Sequence, residues 1–404
     1  MASMLPQVGR IAGMKESPAT ESNAPTRALG NSFDRMEWAG AFGDLGTLVP
    51  FVVAYITLLH LDPFGILFAF GVSMVAAGIY YRTPFPVQPM KAIGAAATTQ
   101  ATQTFTVTAG AVYAASLATG VIWLLLGLTG LAKRVAALIA RPVTTGIILG
   151  LGIGFMVEGI KMMANAWIVA AVALALTLLL LDSRRFPAMF LLLIGGAAYQ
   201  LVVEPQVLAQ LSGVKPELRL PELSFTSITW SDVAIGVLLL ALPQVPLTLG
   251  NAIVAITEEN NRLFPHRFVN ERGVAISTGL MNIFSGSVGG VPLCHGAGGM
   301  AGHVRFGAHT GGAIVILGSI LLVLAFLFSG SIATLFSIFP KAILGVILFM
   351  TGAQLALGSC DFGKQKNDRF ATLVTAAFAI WNVGLAFVVG MALVQALRRG
   401  WIKL

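Results

Sequence analysis

From Trp38 to the end of the chain, apolar runs of about 18 residues or more alternate with short polar interruptions, and each run is long enough to cross a bilayer. The pattern predicts spans at 38–59, 64–82, a broken segment 86–103, 107–131, 142–160, 165–182 and 186–203. A second set follows at 233–256, 270–288, a broken segment 292–303, 308–329, 333–353, 369–384 and 386–400. This is the layout of an all-α polytopic membrane protein with fourteen transmembrane segments. Residues 1–33 read as a disordered cytoplasmic tail, 34–203 as one seven-segment repeat, 204–232 as a polar connection and 233–404 as a second repeat. Seven is odd, so the second set runs in the opposite orientation to the first, as in transporters built from inverted repeats.

The two broken segments stand at matching positions. The third segment of the first half carries PVQPMKAIGAA (86–96), and the third of the second half carries PLCHGAGGMAG (292–302). Aligned on Pro86 and Pro292, each passes through polar residues and resumes as small residues and Met. Proline removes a backbone donor and clashes with the preceding turn, so neither segment spans as one helix. Lipid cannot satisfy the freed groups, so such breaks survive only inside protein or beside a polar cavity. Where each half-helix restarts, its first N–H groups lack partners and carry partial positive charge. Two inverted half-helices aim those ends at one point, and Gly296, Gly298 and Gly299 let the backbone come close to a ligand. An oxyanion site is the expectation; the alternative is a pair of kinked helices that only pack.

Composition agrees. The 404 residues are 56% apolar and 10% charged, with mean hydropathy +0.85. A net charge of +8 would suggest nucleic acid in a soluble protein. Here sixteen Lys and Arg fall in loops assigned to the inner side, and four (Lys161, Lys215, Arg219 and Lys341) fall outside, which places the N-terminus in the cytoplasm. The first thirty residues contain no apolar core of a cleaved signal. Cys294 and Cys360, the two cysteines, fall in different settings, so neither a disulfide nor a metal site is expected.

Lys91 is the basic residue that does not belong to a loop. A charge at membrane depth is costly and marks function by default, and a cation in the first turn of a half-helix is opposed by the dipole as well. A dianion between the two resolves both; pairing with Asp44 is the alternative. Asp44 lies in GAFGDLGTLVP (40–50), shares a helical face with Thr47 and Phe51, and is a candidate proton carrier. The equivalent helix of the second half carries Gln244, Thr248 and Asn251 at i, i+4 and i+7, a stripe that either joins helices or lines a cavity. Gln88 and His295 mark the breaks, and His295 can cap its half-helix, donate to an oxyanion or carry a proton. GLGIG (150–154) reads as packing, Glu258 and Glu259 as solvated, and His303, Arg305 and His309 as a cytoplasmic gate. No HExxH, aspartate pair or Ser/His/Asp set supports an enzyme.

FGDLGTLVP (42–50), PFPVQPMKAIGAA (84–96), PLTLGNAI (246–253) and VPLCHGAGGMAGHVRFGAHTG (291–311) resemble the molybdate transporter family, the branch of the sulfate-permease superfamily without a STAS domain. The resemblance implies core and gate domains, with substrate between segments 3 and 10 and segments 1 and 8 lining it. It assigns Gln88, Lys91 and Ala92 to one half of the site and His295, Gly296, Ala297 and Gly298 to the other. It implies molybdate or sulfate as cargo. The reading of the chain as a whole is a secondary active importer with an elevator-like movement, and proton coupling through Asp44 or His295 is a further expectation. An oxyanion channel or exchanger and a nucleobase:proton symporter are the alternatives; Gln244 stands where nucleobase permeases use glutamate. No cofactor or STAS domain is expected, membrane lipid is the other partner, a homodimer is left open, and the cell (inner) membrane is the expected location.

Overall fold

Side-chain oxygens start many of the helices. Asp34 accepts from the backbone N–H of Met36 and Glu37 to open α1 (Arg35–Ala41), and Asp62, with Pro63 behind it, opens α3 (Pro63–Tyr81). Thr108 opens α4 (Ala109–Leu128), a Thr229/Asp232 capping box opens α9 (Trp230–Ile235), and Asn270 opens α12 (Glu271–Ser287). The computed structural model describes residues 30–90, 93, 107–132, 134, 140–180, 183, 186, 188–221, 223, 224, 228–357, 359, 362, 365–381 and 383–402. Lys91 and Ala92 lie outside these residues, as do Cys360 and the tail 1–29.

The remaining elements are α2 (Leu45–Leu59), β1 (Gln88–Pro89), α5 (Arg141–Met163), α6 (Trp167–Leu180), α7 (Ala188–Val203) and α8 (Pro205–Ser212). The second half adds α10 (Leu242–Leu247), α11 (Ile256–Leu263), β2 (Leu293–Cys294), α13 (Ala297–Arg305), α14 (Gly312–Phe328), α15 (Ile332–Phe336), α16 (Lys341–Leu357), α17 (Lys366–Trp381) and α18 (Val383–Arg398). Two corrections follow. The predicted span 38–59 is two helices, broken at Phe42–Asp44. The span 233–256 is interrupted by π-helical turns at Gly236–Ala241 and Thr248–Ala255, around prolines 243 and 246, which lack the N–H that a regular ladder needs.

Among the described residues four helices are long and apolar enough to cross a membrane: Pro63–Tyr81, Ala109–Leu128, Arg141–Leu180 and Gly312–Phe336. The pair α7 and α8, bent by 101°, is either a broken span or a re-entrant loop. Arg141–Leu180 is 40 residues, roughly twice what one crossing requires, with a 3₁₀ turn at Ala164–Ala166 between its two parts. The polar connection is not free chain: it contains α8, and Arg219 pairs with both oxygens of Asp62 at 2.8 and 2.9 Å.

Helices approach until backbones touch. α3 packs on α14, α4 on α12, and α5 on both α16 and α17. A Cβ on Gly152 would lie 2.8 Å from the Gly352 carbonyl oxygen, and one on Gly352 2.5 Å from that of Gly152. Two turns away, Gly159 and Gly345 repeat the arrangement at 2.7 Å each way. The packing role expected of GLGIG is therefore what the structure shows.

The two breaks meet. β1 and β2 form an antiparallel ladder with Gln88 opposite Cys294 and Pro89 opposite Leu293, continued by a 2.8 Å bond from the Met90 N–H to the Pro292 carbonyl. The second break is thus extended up to Gly296, and its helix resumes at Ala297, in the run of small residues and Met.

Candidate functional site

Gln88 lies at the centre of the ladder with none of its surface exposed. Its Nε2 donates to Oδ1 and Oδ2 of Asp44 at 2.7 Å each, and reaches Thr47 Oγ1 at 3.1 Å. The Thr47 hydroxyl also bonds the Asp44 carboxylate and, at 3.0 Å, the Asp44 carbonyl oxygen. Asp44 and Thr47 are buried, at the start of α2. The break between α1 and α2 is what turns the carboxylate toward β1. Asp44 is therefore a partner of Gln88; whether it also meets Lys91 lies outside the described residues.

The other end of the Gln88 amide faces Gly296. Oε1 is buried and has no hydrogen-bond partner among the described residues. A Cβ on Gly296 would sit 1.9 Å from it, and one on Gly299 would sit 2.9 Å from Nε2 and 2.7 Å from Cβ of Pro86. Glycine is what lets the second break close over the first. Asn251 lies beside the same point, its Nδ2 at 3.7 Å from the Gly296 Cβ position, and its Oδ1 is likewise buried without a partner among the described residues. An unpaired buried acceptor costs about 1–3 kcal/mol. Each such group in a native structure calls for an explanation, and that of Gln88 faces Gly296.

Just beyond, α13 begins at Ala297. Its N-cap is Gly296, and no side chain caps it, so the expectation that His295 caps this helix is corrected. The ring of Phe155, from α5, lies over Gly298, where a Cβ would come within 2.4 Å of it. Phe155 is a residue that the sequence pattern did not single out; the signal was an aromatic ending a glycine-rich stretch.

Gln244 and Thr248 are buried and bonded to each other at 3.1 Å, so of the polar stripe Asn251 is the member shown to reach the break. His295 points away from it. Successive residues of an extended strand face opposite sides, so Cys294 and Gly296 share the Gln88 side and His295 takes the other. Its Nδ1 meets the Pro86 carbonyl at 2.8 Å and its Nε2 meets Ser277 Oγ at 2.8 Å, with Tyr81 OH 2.6 Å from Ser277 Oγ. It lines a largely apolar cavity of about 440 Å³ between α3 and α12. The direct role expected for His295 in holding an oxyanion at Gly296 therefore does not fit its orientation. His303 is buried with Nδ1 on the Gly40 carbonyl at 2.8 Å, which does not suit a surface gate, and Glu259 is buried and paired with Arg262 at 2.7 Å rather than solvated.

A family model described as "Molybdate transporter of MFS superfamily" matches this chain over two stretches of equal length, residues 36–155 and 236–355. The chain is also 31% identical to molybdate transporter 2 of Arabidopsis thaliana, over 90% of this chain and 87% of that one. The chain belongs to the molybdate transporter family. Molybdate transporter 1 of the same plant is 28% identical over 87% of this chain and 85% of its own. Among solved structures, the transmembrane domain of the cyanobacterial bicarbonate transporter BicA superposes with a TM-score of 0.57 at 13% identity, covering 87% of this chain and 97% of that one. Murine Slc26a9, an anion transporter in its inward-facing state, gives 0.59 at 13% identity, covering 91% and 69%. This member of the family is a multi-pass membrane transporter and not an enzyme.

Proposed function

We propose that this protein imports molybdate, or the similarly shaped dianion sulfate, across the cell membrane, holding it where β1 meets β2 and α13 begins. The observation that carries the reading is the paired break, in which an uncapped helix start, two glycines and the Gln88 and Asn251 amides converge in a buried place. The names of the curated relatives support molybdate as cargo. Lys91, two residues beyond β1 in the sequence, supplies the full positive charge in this reading. Titration of the purified full chain with molybdate tests it: Lys91→Met folds but loses binding. Unchanged affinity in that variant removes Lys91 from the site.

A seven-plus-seven inverted repeat is supported by the ladder itself. The 206-residue offset that aligns Pro86 with Pro292 also carries Gln88 onto Cys294, the residue it faces. Equivalent strands that meet antiparallel at an equivalent pair are what a two-fold axis through the ladder demands. The packing of α3 on α14 and of α4 on α12 is the same pairing seen from each half. We assign α1–α4 and α9–α14 to a core that carries the break and α5–α7 with α15–α18 to a gate, and transport to an elevator-type shift of one past the other. A Cβ on Gly46 of α2 would lie 3.0 Å from that of Leu348 of α16. Cross-linking Gly46→Cys to Leu348→Cys, with both native cysteines replaced, arrests transport while binding persists; undiminished transport in the cross-linked protein refutes the elevator.

A further inference from the structure

The Gln88 amide is held in the orientation least suited to an anion. Its Nε2 is turned to Asp44 and Thr47, and it presents a bare acceptor, Oε1, to Gly296. An oxyanion is itself acceptor-only and requires donors at that point. This is the orientation that an ionised carboxylate, which can only accept, would favour. Both Asp44 oxygens accept from Nε2, which turns Oε1 the other way. A single proton on Asp44 reverses the logic, because a carboxylic acid has a donor of its own.

We propose that Asp44 and Gln88 form a proton-operated amide switch that makes the oxyanion site donor-lined only when Asp44 is protonated. In the protonated state the Asp44 O–H donates to Oε1, and the amide turns by half a revolution about its last side-chain bond. Nε2 then faces Gly296 and gives its N–H groups to a ligand oxygen. The space for that exchange exists because residue 296 has no Cβ; at 1.9 Å from Oε1 a side chain would occupy the amide's place. Thr47 accompanies either state, since its hydroxyl both donates and accepts. The balance is one proton bound to Asp44 for each oxyanion bound, and linkage makes the effect reciprocal: the bound anion favours the proton as much as the proton favours the anion. Asp44 would otherwise act as an internal competitor, an anion already occupying the donors that the substrate needs.

Several groups around Asp44 bear on its titration, and Lys91, whose pairing with Asp44 is the alternative that the sequence raised, lies outside the described residues. From β1 it meets neutral Gln88, and from α16 Thr351 donates its hydroxyl to the Gly43 carbonyl at 3.2 Å. From α13 buried His303 interacts electrostatically with Asp44 and is the titratable group to be separated from it. Glu37 on α1 is committed to backbone N–H groups near α14. His295 lies on the other face of β2.

The switch rests on the proposed oxyanion site, and the test separates the two. Molybdate affinity of the purified full chain is measured across the pH range in which molybdate remains a dianion, together with proton uptake from calorimetry in buffers of different ionisation enthalpy. For the wild-type protein, affinity falls about tenfold per pH unit once Asp44 is ionised, and about one proton is taken up per anion. Asp44→Asn, a permanent donor–acceptor, binds with no pH slope and no proton uptake, whereas His303→Gln keeps both. A flat wild-type profile overturns the switch, as does a slope that survives Asp44→Asn and disappears in His303→Gln. The wild-type measurement decides even if a variant does not fold. No binding by wild type at any pH, or affinity indifferent to Gln88→Leu, instead overturns the site itself.

Discussion

Gly296 carries more of the proposed site than a residue without a side chain normally would. Its backbone, at φ −87° and ψ 129°, is open to any amino acid, so conformational freedom is not the reason for glycine here. The reason is space: a Cβ would overlap Oε1 of Gln88 at 1.9 Å. Gly296→Ala is accordingly predicted to fold but to push the amide away from Asp44 and from the ligand position. Loss of one hydrogen bond to a charged partner corresponds to about ten- to hundredfold weaker binding. Molybdate titration of the variant measures it, and wild-type affinity would contradict the role given to this glycine. At this scale the sequence was legible in part. Proline and glycine announced the breaks, and the helical spacing that put Asp44 beside Thr47 holds, but the contact of both with Gln88 was not written in any spacing. For His295 the sequence left capping, oxyanion and proton roles open, and the extended backbone of the break turns its ring away from the Gln88 side. In a helix residues 295 and 296 share a rim, whereas in a strand they face opposite sides.

Elements are joined in this protein by buried polar groups at helix ends. Glu37 is the strongest case: from α1 its carboxylate accepts backbone N–H groups of His309, Thr310 and Ala313 at 3.0, 2.9 and 3.1 Å, closing the N-terminus of α14. Burial pushes the Glu37 carboxyl above its ordinary value of 4.5, and the N–H groups and the Thr310 hydroxyl only partly pull it back. A folded-state value above the unfolded one means that the stabilisation is complete below pH 4.5 and fades as pH rises through the folded value. The melting temperature of Glu37→Gln, which does not titrate, should therefore lie furthest below wild type in acid, by an amount equivalent to about 1 kcal/mol. The gap should narrow as pH rises; a widening gap contradicts the assignment. Nothing in the spacing of apolar residues pointed to Glu37, because a cap that acts across more than 270 positions of sequence leaves no local pattern. The π-helical turns were illegible for a related reason. Two prolines predict a disturbed ladder but not whether it widens, kinks or breaks.

For the whole molecule, the apolar runs conveyed a helical membrane protein, and the matched breaks conveyed that two distant segments share a structural role. A bilayer imposes helix length and demands satisfied backbones, so hydropathy carries fold information directly. The outline blurs where helices are short or bent, as in α1 and α2, and where α7 turns by 101° into α8. The tie between Arg219 and Asp62 brings the polar connection and the turn before α3 to the same end of the molecule. At the centre is a ladder of two residues from each half, and the proposal that an oxyanion binds there is the claim on which the rest depends. Molybdenum can be located directly by anomalous scattering from a crystal of the full chain soaked in molybdate. The account predicts an anomalous peak beside Gly296, within hydrogen-bonding reach of the Gln88 amide and the start of α13. An ordered molybdenum peak elsewhere in the protein, with none at that junction, would contradict it.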